Sequence, residues 1–225
     1  MPPDGAPEGP ALDSSLRRAC DALQLEVSLP QQAALLAYLG LLRKWNATYN
    51  LTAVRQPDRM LTHHIVDSLC VVAPLRRHLQ TATVRHVADA GSGAGLPGAV
   101  LALMCPDFHV TCVDSVGKKV AFVRQVAAEV PIPNLRAVHS RLERLREPRS
   151  EVITSRAFAT LADMVEATRH LLAREGVWLA MKGKLPTSEI AALPADVEMF
   201  HVERLSVPGL DAERCLVWLR HKAAL

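Results

Sequence analysis

The first third of the chain carries apolar residues at helical spacing. The first stripe consists of Leu12, Leu16, Ala19 and Leu23. It lies beside a candidate helix cap at Asp13 or Ser14. A second stripe begins at Pro30 and runs to about Trp45, and a third helix is predicted from Pro57 towards Leu79. We therefore expect three helices before the first strand.

From Thr83 onward, short runs rich in β-branched residues replace the helical stripes. They predict strands at 84–89, 109–114, 135–139, 151–155, 176–182, 197–205 and 214–221. Helices are predicted between them at 97–105, 116–130 and 161–173, with a short turn near 141–145. Strands that alternate with helices are typical of a parallel sheet covered on both faces.

The last two predicted strands follow a different rule. The segment between them, 206–213, contains Pro208-Gly209 and is too short for a crossover helix, so these strands should pair antiparallel. We predict a doubly wound α/β fold with a mostly parallel seven-stranded sheet, an antiparallel C-terminal hairpin and preceding N-terminal helices. The expected division is a disordered tail at 1–12, a helical segment at 13–80 that packs on the sheet, and a sheet domain at 81–225.

Composition narrows the class of protein without identifying a ligand. The chain has 225 residues, 49% of them hydrophobic, and a formal net charge of +3, which suits a nucleic-acid partner and an ordinary enzyme surface equally. The longest apolar run, 33–42, is far short of the roughly 20 residues of a membrane helix. The N-terminus has no basic and apolar leader pattern. We expect a cytoplasmic protein without a membrane partner.

Cysteine and histidine usage argues against disulfides and metal. The cysteines are scattered: Cys20, Cys70, Cys105, Cys112 and Cys215. This spacing predicts buried free thiols in a reducing compartment. Adjacent His63 and His64 would point about 100° apart on a helix, so they would not converge on one ion. We expect no metal site.

The densest chemical signal is the segment from Asp89 to Gly98, Asp-Ala-Gly-Ser-Gly-Ala-Gly-Leu-Pro-Gly, between a predicted strand and a predicted helix. Closely spaced glycines let backbone approach a ligand, and the helix start offers unpaired N–H groups. Asp114 ends the next strand, where a carboxylate can hold ribose hydroxyls. This combination predicts a nucleotide-type site.

Two ligand classes fit the glycine segment. Residues 93–98 satisfy the dinucleotide pattern G-x-G-x-x-G, a weak match by itself. The frame Asp89-x-Gly91-x-Gly93-x-Gly95 resembles the first motif of methyltransferases that use S-adenosyl-L-methionine. The antiparallel hairpin also favours the methyltransferase arrangement over a fully parallel dinucleotide-binding sheet.

Further stretches resemble one methyltransferase family in particular, the small-subunit rRNA guanine-N7 methyltransferases. They are Trp45-Asn46-x-x-Tyr49-Asn50-Leu51-Thr52, His64-x-x-Asp67-Ser68-Leu69, Asp89 to Gly98, Asp114-Ser115-x-Gly117-Lys118-Lys119, Ser140-Arg141-x-Glu143, Ser155-Arg156-Ala157-Phe158-Ala159 and Lys182-Gly183. The resemblance extends from about Leu39 to Arg220.

This resemblance implies a Rossmann-like class I methyltransferase that uses S-adenosyl-L-methionine. The implied acceptor is N7 of a guanine in 16S rRNA, with the rRNA or the small ribosomal subunit as partner, and we expect a monomer. The implied cofactor contacts are Gly91, Gly93, Leu96, Asp114, Leu142, Glu143 and Arg156. Other hypotheses are a methyltransferase of another substrate and a non-catalytic rRNA-binding assembly factor.

The sequence around Arg156 also bears on the reaction. An Asn- or Asp-Pro-Pro-aromatic loop, usual in amine methylation, is missing after the fourth strand, and no cysteine lies between Cys112 and Cys215 to act as a nucleophile. Guanine N7 carries no proton, so transfer to it needs alignment rather than a general base. Arg156 is the candidate positioning residue. It could bind the methionine carboxylate or guanine O6, or form a structural salt bridge.

The RNA contacts are predicted from charge and placement. The candidates near predicted strand ends are Lys118, Lys119, Arg124, Arg141, Lys182 and Lys184. His64 is a further candidate because it shares a helical face with Asp67 and Ser68, which could line the entrance or form a packing seam. Trp45 and Tyr49, four apart, are interpreted as core or seam residues rather than a base-stacking platform.

Overall fold

The computed structural model describes residues 8–80, 85–146, 149–156 and 158–223. The helices are α1 Glu8–Ala22, α2 Leu29–Tyr49, α3 Pro57–Met60, α4 Asp67–Leu69, α5 Val72–Leu79, α6 Gly98–Met104, α7 Gly117–Glu129, α8 Leu161–Thr168 and α9 Thr187–Ala191. The strands are β1 His86–Ala90, β2 His109–Asp114, β3 Leu135–His139, β4 Ser150–Ser155, β5 Leu172–Lys182, β6 Val197–Leu205 and β7 Arg214–His221. A π-helical segment spans Leu61–Val66, and 3₁₀ turns span Leu142–Arg144 and Arg169–Leu171.

The seven strands form one sheet in the order β3-β2-β1-β4-β5-β7-β6. The first five strands are parallel, and β7 pairs antiparallel with both β5 and β6. The pairing of β6 with β7 shifts register between Met199 and His201, where β6 is bulged. The predicted sheet, including its antiparallel C-terminal hairpin, is confirmed.

The core lies on both faces of this sheet. Neighbouring residues along a strand point to opposite faces, and accordingly Val87 belongs to one hydrophobic cluster and Ala88 to another. The Val87 cluster also contains Leu42, Ile65 and Phe122, so the N-terminal helices share a core with α7. Within the part of the chain that the structure describes, the helices lack the combination of length and apolar character that crossing a bilayer requires.

The first helix begins earlier than predicted. It starts at Glu8, so residues 8–12 are helical and not part of the expected tail; residues 1–7 lie outside the described residues. Pro10 is accommodated because the first turn of a helix needs no N–H donor. The predicted cap was wrong: the Ser14 hydroxyl donates to the Pro10 carbonyl at 2.9 Å within the helix.

The predicted third helix, 57–79, is interrupted. The π-helical segment follows α3, α4 is one short turn, and α5 begins at Val72. Pro74 would clash with the Cys70 carbonyl in a continuous α-helix, whereas the first turn of α5 tolerates it. The Ser68 hydroxyl also donates to the His64 carbonyl at 2.7 Å, a contact that bends helices.

Two boundaries in the sheet domain also differ from prediction. Helix α8 ends at Thr168 instead of 173, and the 3₁₀ turn Arg169–Leu171 follows it. The buried Thr168 hydroxyl accepts a hydrogen bond from Trp178 Nε1 at 2.9 Å. Strand β5 starts at Leu172 instead of 176 and pairs there with Ser150. The predicted first strand began at Val84, which lies outside the described residues.

Replacing Gly98 should test the close approach of α6 to β1 and β2. A Cβ at Gly98 would lie 2.5 Å from Cys112 Sγ and 2.8 Å from Asp89 Oδ2. We expect Gly98→Ala to lower the free energy of unfolding by about 2 kcal/mol or more through overpacking, measured by urea denaturation. Gly40→Ala in α2 is the control. A Cβ there has no atom within 4 Å, so this change should stabilise the protein by up to about 1 kcal/mol. Equal effects of the two changes would contradict the packing argument.

Candidate functional site

The glycine segment forms a tight loop between β1 and α6. The amides of Gly91 and Ser92 both donate to the Val113 carbonyl, at 2.9 and 3.0 Å, which ties the loop to the end of β2. Gly91 has φ +68° and Gly93 has φ +59°, left-handed conformations that favour glycine. The loop thus follows a path that residues with side chains rarely adopt.

Asp114 fixes both this loop and the turn after β2. Its Oδ2 accepts from the Gly93 amide at 2.9 Å, and its Oδ1 accepts from the Val116 amide at 2.8 Å. Lys119 Nζ lies 3.8 Å from Oδ2. The carboxylate is buried at the carboxyl end of β2, and each of its oxygens accepts a backbone hydrogen bond.

Asp89 occupies the base of the loop and is fully buried. Its Oδ2 accepts from the Gly98 amide at 2.8 Å, which anchors the start of α6. Burial raises the pKa of Asp89 to about 7, although the Gly98 hydrogen bond and the charge of Arg156 act in the opposite direction. Its role in the structure is to orient the helix start.

A residue from the N-terminal helices completes the support of the loop. Tyr38 in α2 is fully buried, and its hydroxyl donates to the Ala94 carbonyl at 2.6 Å. Its ring stacks on Phe122 of α7 with centroids 6.1 Å apart. Sequence analysis did not single out Tyr38, since an aromatic residue in an apolar helical stripe gives no sign of a distant partner.

A cleft of about 760 Å³ opens at the carboxyl ends of β1, β2 and β3. Its lining consists of Gly91, Val113, Asp114, Ser115, Val116, Lys119, His139, Ser140, Arg141, Leu142, Glu143 and Arg144. The predicted contacts Gly91, Asp114, Leu142 and Glu143 therefore meet in one place. Gly93 adjoins them through Asp114, whereas Leu96 is buried and does not line the cleft.

A second cavity, of about 350 Å³, lies towards the carboxyl ends of β4 and β5. It is lined by Val54, His63, His64, Asp67, Arg156, Met181, Lys182, Gly183 and Arg214. Because β1 and β4 are neighbours in the sheet, the two openings lie side by side along one edge. The first cleft therefore contains the Asp114 carboxylate, and the second cavity contains several hydrogen-bond donors, among them Arg156 and Arg214.

Asp67 organises the second cavity. Its carboxylate, 2% exposed, lies 3.3 Å from Arg156 Nη1 and 2.9 Å from Arg214 Nε. Arg156 also donates to the His63 carbonyl at 3.1 Å. The predicted salt-bridge interpretation of Arg156 is thus correct in part: Arg156 forms an ion pair and also lines a cavity.

His64 is buried on the same wall and is linked to Thr52. Its Nε2 lies 2.8 Å from the Thr52 hydroxyl, and that oxygen also accepts from the Val54 amide at 3.2 Å. Burial lowers the pKa of His64 to about 4, and the charge of Arg156 acts in the same direction. The imidazole is consequently neutral at physiological pH.

The predicted RNA-contacting cations have different environments. Lys118 donates to the Tyr49 carbonyl at 2.9 Å, and Arg124 donates to the Ala137 carbonyl at 3.3 Å. Lys182 is paired with Glu189 at 2.8 Å. Lys119 and Arg141 line the first cleft, whereas Lys184 borders a separate depression near residues 205–213. These cations are therefore divided among different openings and partners, and Lys182 also lines the second cavity.

Other predictions about side-chain chemistry can be compared with the described residues. The five cysteines are buried and free. No group of three or more His, Cys, Asp or Glu residues suited to a metal ion occurs within the described ranges. Trp45 packs on Phe122 with centroids 5.5 Å apart, as expected of a seam residue, while Tyr49 is exposed.

The sequence did not predict the roles of Arg214, which lines the second cavity, or of Thr52, the partner of His64. Arg214 opens β7, far along the chain from Asp67, and Thr52 lies in the loop after α2. Thr52 was part of a family-like stretch, which was the available signal. No sequence signal pointed to Arg214, because it reaches the cavity only through the antiparallel insertion of β7 beside β5.

One family model and its curated relatives match most of this chain. The model of the family described as rRNA small subunit methyltransferase G (GidB) matches residues 31–217. The chain is 54% identical over 212 residues to "Ribosomal RNA small subunit methyltransferase G" of Methylibium petroleiphilum, covering 94% of this chain and 96% of the relative. A protein of that name from Leptothrix cholodnii is 55% identical over 209 residues, covering 93% and 95%.

Solved structures are similar in fold at low sequence identity. TrmN from Thermus thermophilus superposes with a TM-score of 0.56 at 17% identity, covering 72% of this chain and 53% of that one. The 1,6-didemethyltoxoflavin-N1-methyltransferase of Burkholderia thailandensis gives a TM-score of 0.56 at 15% identity, covering 88% and 92%. The second is a methyltransferase by name, and the predicted class I fold is confirmed.

Removing the Asp67 charge should destabilise the protein. Asp67→Asn leaves Arg156 and Arg214 without their shared carboxylate, so we expect a loss of about 3 kcal/mol in the free energy of unfolding, measured by urea denaturation. Asp107→Asn is the control because its pair with Arg85, at 2.9 Å, is exposed and should contribute less than about 1 kcal/mol. An Asp67→Asn protein as stable as the control would contradict a structural role for the pair.

Proposed function

This chain belongs to the rRNA small subunit methyltransferase G family, and we propose that it methylates N7 of one guanine in 16S rRNA. It is an S-adenosylmethionine-dependent methyltransferase of small-subunit ribosomal RNA. The proposal concerns the acceptor atom and the residues that bind the two substrates. It rests on the division of the site into two compartments.

The first cleft has the chemistry needed to bind S-adenosylmethionine. Asp114 is an acceptor for the ribose hydroxyls, and Gly91, with φ +68°, contributes backbone without a side chain to the lining of the cleft. Leu142 offers an apolar surface for the adenine, next to Glu143. We therefore assign the cofactor to the cleft at the ends of β1, β2 and β3.

The single observation that carries the N7 assignment concerns the second cavity. Among its described lining residues, the two buried groups that could serve as a base are engaged: Asp67 is paired with two arginines, and His64 Nε2 with the Thr52 hydroxyl, while His63 is only half-buried. An amine or hydroxyl acceptor would have to lose a proton to such a base. Guanine N7 has an in-plane lone pair and no proton, so it suits this cavity.

S-adenosylmethionine supplies a methyl group activated on a sulfonium sulfur. Transfer to guanine forms the bond from N7 to carbon and breaks the bond from carbon to sulfur, whose electron pair stays on sulfur. The positive charge passes to the purine, and no proton moves. The protein contributes alignment and exclusion of water, the effects that make proximity a large source of rate.

Arg156 is proposed to bind the guanine rather than the methionine carboxylate. Its guanidinium lines the second cavity and not the cofactor cleft. Asp67 fixes one edge of the fork, which leaves other N–H groups of the fork to donate to a purine acceptor. This supports O6 of the target guanine as its partner.

The proposed acceptor can be tested directly. Purified protein is incubated with labelled S-adenosylmethionine and either naked 16S rRNA or small ribosomal subunits lacking the modification. N7-methylguanine makes the RNA backbone cleavable by aniline after borohydride reduction, which locates the nucleotide. We expect one strong cleavage site at a guanine. Methyl incorporation without such cleavage would refute the N7 assignment.

Asp114→Asn should weaken cofactor binding. Replacing a charged acceptor by a neutral amide removes about 1.5 to 3 kcal/mol of charge-assisted hydrogen bonding, so we expect a 10- to 100-fold higher dissociation constant for S-adenosylmethionine by calorimetry. Asp107→Asn, before the opposite end of β2, should bind like the wild type. Unchanged affinity in Asp114→Asn would remove the ribose-binding role.

Arg156→Ala should distinguish an effect on methyl transfer from an effect on cofactor binding. Asp67 keeps its pair with Arg214, so the variant should fold. We expect S-adenosylmethionine affinity within about threefold of wild type and a methylation rate lowered by roughly 10- to 100-fold, the loss of one charged hydrogen bond. Exposed Arg174, near the amino end of β5, provides the matched control. A large loss of cofactor affinity would instead assign Arg156 to the methionine carboxylate.

A further inference from the structure

His64 has one ring nitrogen without a hydrogen-bond partner among the described residues. Its side chain lines the second cavity and is 6% exposed. The unpartnered atom is Nδ1. Burial lowers the pKa of His64, and the His63 carbonyl, which accepts from Arg156 at 3.1 Å, acts to raise it but does not form a hydrogen bond with Nδ1.

The hydrogen bond with Thr52 determines which ring nitrogen carries the proton. The Thr52 oxygen already accepts from the Val54 amide, and its single hydroxyl proton needs an acceptor. We assign His64 Nε2, 2.8 Å away, as that acceptor. The neutral imidazole therefore carries its proton on Nδ1, and the unpartnered atom is an N–H donor.

The backbone around His64 is shaped to hold this orientation. His64 belongs to the π-helical segment Leu61–Val66, and such segments are frequent at functional sites. The Ser68 hydroxyl holds the His64 carbonyl at 2.7 Å, and the Asn46 amide oxygen accepts from the Thr52 backbone at 2.8 Å. These contacts fix the backbone of His64 and of Thr52, the hydrogen-bond partner of its ring.

We propose that His64 Nδ1–H donates to O6 of the target guanine and thereby selects guanine over adenine. This rests on the proposed N7 methylation. The same cavity also contains the guanidinium donors of Arg156 and Arg214, so a ligand there must present acceptors. Guanine has O6 beside N7, whereas adenine has an amino donor at that position. A buried donor facing another donor leaves both unpaired, which strongly disfavours the wrong base.

The test compares two acceptors that differ in O6, which His64 is proposed to recognise, and in the N1–H that accompanies it. The 16S rRNA is assembled by splinted ligation with guanosine or 2-aminopurine riboside at the nucleotide located by the cleavage experiment. 2-Aminopurine keeps N7 and lacks O6. Single-turnover methylation is then measured for wild type, His64→Ala and His64→Asn, with His201→Ala on exposed β6 as the control.

We expect His64→Ala to lower kcat/KM about 30-fold on guanosine and less than about threefold on 2-aminopurine, as a lost hydrogen bond to a polar group predicts. His64→Asn should recover part of the loss because its amide N–H can replace Nδ1–H. Cofactor affinity should be unchanged. Equal losses on the two acceptors, or no loss on guanosine, would overturn the role of His64.

The outcomes also separate this inference from the function on which it rests. If wild-type protein produces no N7-methylguanine in 16S rRNA, the proposed acceptor itself fails. If wild type produces it and His64→Ala methylates both acceptors like wild type, only the assignment of His64 fails. Thr52→Val provides an independent check, since releasing Nε2 should lower activity on guanosine more than on 2-aminopurine.

Discussion

The path of the glycine loop depends on contacts with two other elements. The Val113 carbonyl receives two loop amides and Asp114 receives the Gly93 amide, both from β2, and Tyr38 of α2 donates to the Ala94 carbonyl. The loop is therefore positioned by the assembled fold rather than by its own sequence. A binding surface made of backbone groups requires this kind of external support.

The N-terminal helices are consequently part of the working site. Tyr38 supports the loop, while His64 and Asp67 form one wall of the second cavity. Asp67 binds Arg156 after β4 and Arg214 at the start of β7, which joins the helices to the sheet through buried charge. The parallel strands position the first cleft, and the N-terminal helices complete the second cavity.

The sequence predicted most of the sheet because its signals are local. Strands β2, β3, β6 and β7 have the predicted bounds, since alternating apolar runs and turn residues mark both ends. The break in 57–79 was missed, because it arises from Pro74 and from side chains that bond to the preceding turn. The helical spacing of apolar residues does not reveal such side-chain hydrogen bonds to the backbone.

The site was predictable to the extent that its residues follow strand ends. Gly91, Asp114 and Glu143 meet in one cleft because the carboxyl ends of parallel strands share an edge. The partner of Arg156 was not predictable, since Asp67 is 89 positions away along the chain. The protonated nitrogen of His64 likewise depends on Thr52, and only the folded chain brings the two side chains together.

Strand β6 is an edge strand of the sheet. Its bulge between Met199 and His201 bears on aggregation at high protein concentration. Border strands can template aggregation when a flat row of backbone groups is available to another chain. In β6 the bulge interrupts that row, and Glu198 and Glu203 add charges that pair with Arg220 and Arg77. This border is therefore protected against the addition of a foreign strand.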